Sequence, residues 1–446
     1  MERENRLSQC SWGTTEPLVI KFGGTSVGGG PEFVRAARMV ADEARSRPVA
    51  VVVSAMSGTT DTLLGYAGTT EATGSRTSTG ATREGSLAEL HRTLAERHLA
   101  AARHAVADPH LTGVEEGIYE LLGGLLEAIA SEEDSPEGRR ARIAVYGERL
   151  SACILAGAIQ SAGAPAAVAG DPIATDGGYA EAEVDPERTR ERAAGHVAPL
   201  LDGGRVAVVP GFVGRSPEGL ETTLGRGGSD LSATALGAAL GSGEVWICSD
   251  VDGVLDADPR LVPGARRIPR LSYREASSLA GLGAKVLHPK TMQPALAAGM
   301  EVTVRSTFDR GRAGTRVCSR EPGAGVRGLG LRRGLSLARG AAEPAASVFR
   351  VLGSGGCGVD YLLHEEYAGH AAVVCVGAPG CEELAAGISA LGERGVPLHW
   401  AGLCSDGLLF VVDDGEAVEA LGTLHGSLLE DSTEEAAESY SVEEVA

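Results

Sequence analysis

The 446-residue chain carries 43% hydrophobic residues, enough for a sizeable core in two or three domains, and a formal charge of −20. That acidity argues against nucleic-acid binding, since phosphate backbones demand clustered lysine and arginine. No run reaches the roughly 18 apolar residues of a membrane span, and the first residues lead into no apolar signal core, so a soluble, cytoplasmic protein is expected. The eight cysteines form no C-x-x-C pair and lie largely in apolar runs. They read as reduced thiols rather than as disulfides or a zinc site.

Through residues 18–320 short apolar runs alternate with longer helical patterns, which predicts an α/β fold with a mainly parallel sheet between helices. The first predicted strand, Leu18–Phe22, ends in Lys21-Phe22-Gly23-Gly24-Thr25-Ser26. Lys21 is one of only three lysines among 40 basic residues. A chain that writes arginine wherever surface charge suffices keeps lysine where a compact ammonium is needed. Glycines let backbone N–H groups approach an anion, so Lys21, Phe22, Gly23 and Gly24 form a candidate phosphate cradle. The same pattern also suits a snorkelling lysine at a strand end. It is neither a Walker A loop nor a dinucleotide fingerprint.

A helix over 31–46 and a strand over Val49–Ser54 follow. The strand ends in hydroxyls, Ser54, Ser57, Thr59 and Thr60, which either line a pocket or cap the next helix. Residues 69–86 lack periodicity and read as a mobile surface loop. Helices are predicted over 87–106 and 147–162, with a strand over Arg142–Val145 between them. Glu148 falls in the first turn of the later helix, where a carboxylate complements the dipole. After a helix over 188–202 and a strand over Val206–Pro210 comes Leu224-Gly225-Arg226-Gly227-Gly228-Ser229-Asp230. It leads into a helix over 229–241. An arginine fork, glycines and a helix N-terminus together are how a carboxylate or phosphate is gripped.

The strand Val245–Ser249 ends in a turn-forming acidic segment, Asp250 to Arg260. That is a candidate nucleotide site at the carboxyl edge of the sheet. It lacks the glutamate that closes a calcium loop. Lys285 and Val286 precede a predicted helix over 290–298 and a strand over Val302–Arg305. A Gly/Arg-rich junction at 320–334 then separates a smaller region over 335–429. Its predicted order is strand, helix, strand, strand, helix, strand, strand, helix. Residues 1–17 form an N-terminal extension and 430–446 an acidic tail expected to be disordered.

Together, Val19–Gly28, Val51–Leu64, Tyr146–Ala152, Pro210–Gly214, Thr222–Leu240, Val245–Pro289 and Val302–Thr315 resemble the aspartate kinases of the amino-acid kinase family, in the right order. The resemblance implies that Lys21 and Gly23-Gly24 hold the transferring phosphates and that Asp230 orients Lys21 or a metal-bound phosphate. It implies that Arg226 grips the substrate α-carboxylate and Glu148 its α-ammonium, with Ser54, Thr60, Gly227, Gly228 and Ser229 lining the pocket. ATP would lie among Ser249, Asp250, Leu255, Arg260, Lys285 and Val286. Mg²⁺ would ride on the ATP phosphates, and no dedicated protein metal site is expected. The implied reaction phosphorylates the side-chain carboxylate of L-aspartate, the first step towards lysine, threonine and methionine. A kinase for another acidic amino acid, or a silent amino-acid-sensing subunit, are the alternatives.

Three positions depart from the family pattern: Leu255 for a tyrosine, Leu282 for a phenylalanine and Pro210 for a threonine. The C-terminal region resembles a shortened pair of ACT domains, small βαββαβ regulatory units. The stretch Leu337–Pro344 lacks their Pro-Gly turn. A homodimer or larger homo-oligomer is expected.

Overall fold

The computed structural model describes residues 15–72, 83–131, 135–282, 287, 289–319, 324–340, 347–351, 359–364, 369–404 and 407–430. The chain divides into two compact units, residues up to Asp252 with Lys290–Arg316, and Gly253–Pro289 with Val317 onward.

In the first unit the strands are β1 (Leu18–Phe22), β2 (Val49–Val53), β3 (Ala166–Val168), β4 (Val206–Pro210), a hairpin of β5 (Val213–Arg215) and β6 (Glu221–Thr223), and β7 (Glu244–Ser249). After β8 (Arg270–Ser272), which belongs to the second unit, comes β9 (Glu301–Ser306). Six of these strands lie in the order β3-β4-β2-β1-β7-β9, and neighbours run parallel. Parallel strands buried on both faces need continuous apolar runs, which β1, β2 and β4 supply; Lys21 is the one charged residue among them.

Register aligns the strand ends. Phe22 lies opposite both Val53 and Cys248, Val53 opposite Pro210, and Ser249 opposite Ser306. The chain builds outward from β1 on one side and returns to β7 on the other. The crevice for a ligand therefore opens beyond the carboxyl end of β1.

The covering helices are α1 (Gly30–Glu43), α2 (Thr59–Ala72), α3 (Arg83–Ala105), α4 (His110–Ala130), α5 (Pro136–Ala144), α6 (Tyr146–Ser161), α7 (Pro186–His196), α8 (Ala198–Asp202) and α9 (Gly228–Leu240). The strand expected at Arg142–Val145 is instead the end of α5. Ser135 accepts the Gly138 N–H and Pro136 opens the helix, a cap-and-proline start that outweighs the local alternation. The helix expected over 188–202 is broken at Val197, because Pro199 begins a new turn. The loop expected at 69–86 is shorter: α2 runs to Ala72 and α3 begins at Arg83, and 73–82 lie outside the described residues.

The second unit contains β8, α10 (Tyr273–Gly281) and, beyond α11 (Pro289–Ala298) and β10 (Thr315–Cys318), the strands β11 (Gly325–Gly340), β12 (Ser347–Val351), β13 (Val359–His364), β14 (His370–Ala378), β15 (Leu398–Cys404) and β16 (Gly407–Asp413). These last six form an antiparallel sheet, β12-β13-β11-β14-β16-β15, with α12 (Cys381–Arg394) and α13 (Ala417–His425). Where a helix was expected after the first of these strands, Ser347–Val351 pairs with β13 as a strand. Valine and phenylalanine there favour a pleated surface. The N-terminal extension and the acidic tail beyond Glu430 fall largely outside the described residues.

Candidate active site

The end of β1 delivers Lys21 to the crevice. Its Nζ lies 2.5 Å from Asp230 Oδ1, and both side chains are almost wholly buried. A lysine at the edge of a buried strand must find a countercharge, and the first turn of α9 provides one. Gly23 follows, its N–H donating to Cys248 O across the sheet at 3.2 Å. A Cβ at Gly23 would stand 3.4 Å from the Lys21 ammonium, and one at Gly24 would stand 3.0 Å from Ala55 O. The turn is therefore walled by backbone on one side and the lysine on the other.

The segment after β2 closes the next wall. Ser54 N–H donates to Phe22 O at 3.0 Å, and Arg97 of α3 fixes the turn by donating to Ser57 O at 2.6 Å. Ser54 and Thr60 are half-buried. Glu148, in the first turn of α6, is 3% exposed, and its Oε2 has no hydrogen-bond partner among the described residues. Burial pushes its carboxyl up to about 8, against the smaller opposing pull of the Ala55 amide. Gly147 lets the helix come this close, because a Cβ there would lie 2.8 Å from Ala55 Cβ. A buried carboxylate with a bare oxygen is suited to receive a cation.

The α9 N-terminus supplies the last wall. Gly227 sits in the left-handed region (φ 70°, ψ 11°) and starts the helix without a side-chain cap. Gly228 packs against the Phe212 ring, where a Cβ would fall 2.7 Å from the ring edge. Phe212 itself has φ 66°, and its N–H donates to Ser232 Oγ at 2.9 Å. Arg226 is exposed and makes no ion pair with any described residue. Ser229 is half-buried beside Gly211. On the β7 side, Ser249 O accepts the Thr307 N–H at 2.8 Å, and Ser249 Oγ donates to Asp250 Oδ1 at 3.0 Å.

Thus Lys21, Gly23, Gly24, the Ser54–Thr60 turn, Glu148, Ser229 and Asp230 are tied into one crevice by direct contacts. Leu255 and Arg260 lie in the second unit, with Arg260 paired to Asp258, while Lys285 and Val286 fall outside the described residues.

Sequence reasoning missed the frame behind Glu148. The adjacent Arg149 reaches Asp171 at 3.1 Å and Glu221 at 2.6 Å, and Arg215 meets the same two carboxylates at 2.9 and 3.3 Å. This half-buried network ties α6 to the β5–β6 hairpin. Residues so far apart in the chain leave no local signal of it. Phe212, too, was legible only as part of a matching stretch.

A parallel sheet with a phosphate-sized turn, a lysine–aspartate pair and a buried carboxylate at its carboxyl edge fits an enzyme of phosphoryl transfer to small anions. The Amino acid kinase family model matches residues 16–306, and the chain belongs to that family. Within it the relatives are aspartokinases. The enzyme from Thermus thermophilus is 41% identical over 201 residues, 43% of this chain and 47% of the relative. The lysine-sensitive aspartokinase 3 of Escherichia coli is 33% identical over 326 residues, 72% of this chain and 69% of the relative. The matched stretch spans about half the length of the relatives from Thermus thermophilus and Arabidopsis thaliana. The structure of E. coli aspartokinase III in complex with aspartate and ADP superposes with a TM-score of 0.73 at 26% identity, covering 93% of this chain and 100% of that one.

Proposed function

We propose that the chain is an ATP-dependent aspartate kinase that makes 4-phospho-L-aspartate. The observation that carries this reading is the bare, buried Glu148 oxygen, linked through Ala55 and the glycine turn to the Lys21–Asp230 pair: a seat for an ammonium and a seat for phosphate in one crevice. The aspartate complex of the E. coli relative supports the same choice of substrate.

In this reading the α-ammonium docks on Glu148 and the α-carboxylate on Arg226. The side-chain carboxylate then points to the Gly23-Gly24 turn. Already ionised, it needs no general base. One of its oxygens bonds to the γ-phosphorus as the bond to ADP breaks, and Lys21 stabilises the charge spread over the transferring group. Asp230 holds Lys21 in place. Magnesium would accompany the ATP phosphates and would neutralise their charge. Asp230, the carboxylate at this turn, is engaged by Lys21.

Ser249 and Asp250, at the end of β7, form the nucleotide side in this assignment. Residues 18–320 are the catalytic domain and 335–429 an ACT-like region that holds copies together. Exposed Ile388 and Val418 on its helices support that last role. Among the described residues no disulfide joins the six cysteines.

Arg226→Ala tests the docking scheme. It should raise KM for aspartate roughly 10–100-fold, the worth of one charge-assisted bidentate contact, while KM for ATP stays within about twofold. Steady-state kinetics on both substrates decides. A loss confined to ATP would assign Arg226 to the nucleotide.

A further inference from the structure

We propose that His370, His399 and Asp413 bind one divalent transition-metal ion in the C-terminal unit. His370 begins β14 and Asp413 ends β16, and antiparallel pairing sets the two directly opposite one another. On the far side of β16, the β15 register slips between Leu398 and Trp400. His399 is the extra residue of that bulge, and bulges re-aim side chains. The result is one donor atom from each residue, all within 4.8 Å of one another. His399 Nε2 lies 2.9 Å from Asp413 Oδ1. The two imidazoles meet edge to face with centroids 4.7 Å apart.

An ordinary histidine–aspartate pair explains two members of this group and leaves the third unexplained. Nδ1 of His370 is sealed from solvent and has no hydrogen-bond partner among the described residues. A buried ring nitrogen left bare is costly, and a metal bond removes that cost. Bonds of about 2.0–2.2 Å place donors around a zinc ion roughly 3–3.5 Å apart. The pair at 2.9 Å is already near that spacing. The group closes by rotating the His399 ring, which is free to move because it stands partly in solvent. Two imidazoles and one carboxylate select zinc, cobalt, nickel or ferrous iron over magnesium and calcium, which prefer all-oxygen shells. With three protein donors at the surface, a further coordination position faces water. The site is separate from the phosphate cradle and does not depend on the kinase reading.

The test uses the full chain, stripped of metal with a chelator, without nucleotide or aspartate. Cobalt(II) titration followed by absorption, then displacement by zinc, should show one ion per chain with micromolar affinity, unmoved by millimolar magnesium. His399→Ala and Asp413→Asn should each weaken cobalt and zinc binding by about tenfold or more. His399 is exposed and Asp413 half-buried, and circular dichroism of the metal-free variants should match the parent. Absence of a bound ion overturns the proposal. So does an ion bound equally by both variants, or one giving the charge-transfer band of a cysteine thiolate.

Discussion

Lys21→Ala should lower kcat by about 10²–10³-fold, the usual loss when one preorganised charge donor is removed from a transition state. KM for aspartate should change little, because in the proposed docking Glu148 and Arg226 carry the head group. Lys21→Arg should recover little of the loss. The ammonium sits 2.5 Å from Asp230, and a Cβ at Gly23 would already be 3.4 Å from it. A planar guanidinium entering that space must displace either the glycine turn or the phosphate. Rapid-quench measurement of a single turnover separates the chemical step from product release. Near-parental turnover by the arginine variant would show that charge alone, not a compact ammonium, is what β1 delivers.

Aspartate binding at pH 7 should release close to one proton, and Glu148→Gln should abolish that release. In the free protein burial holds the Glu148 carboxyl up to about 8, so it is mostly protonated at pH 7. A substrate ammonium favours the ionised form and expels the proton. Aspartate affinity should therefore improve about fivefold as pH rises from 7 to 8. Calorimetry in buffers of different ionisation enthalpy reads the proton count directly, and no buffer dependence would contradict the docking scheme. The substitution should also raise KM for aspartate about 10–100-fold.

Stability should move the other way. A carboxyl raised in the folded state contributes stability that is fully present below about 4.5 and lost as pH rises through about 8. Glu148→Gln has no such group to ionise. Its Tm should therefore fall less than the parent's between pH 5 and 9. The binding carboxylate is held at a cost to the fold, as sites built for charged ligands often are.

The strands of the catalytic crevice were legible because parallel strands covered on both faces need uninterrupted apolar runs. Leu18–Phe22 and Val206–Pro210 have them, and a lysine within such a run marks itself. Glycines at 23, 24, 227 and 228 were legible as places where backbone must approach something closely. Arg142–Val145 misled because two turns of an arginine-rich helix can imitate period-two alternation; the signal that decides, Ser135-Pro136, lies upstream. The burial of Glu148 was not legible at all. It depends on Gly147 meeting Ala55, and on an arginine–carboxylate frame assembled from α6, the loop at Asp171 and the β5–β6 hairpin. The histidines and aspartate of the C-terminal sheet are invisible for a related reason. No spacing motif links them, and only strand register and one bulge bring them together.

One measurement bears most directly on the whole reading: purified protein with ATP, Mg²⁺ and hydroxylamine, offered L-aspartate and L-glutamate in parallel. An acyl phosphate is trapped by hydroxylamine as a coloured ferric hydroxamate. Robust formation from aspartate, well above that from glutamate and abolished by Lys21→Ala, is the expected result. Equal or greater turnover of glutamate, or no hydroxamate from either amino acid, would contradict the assignment.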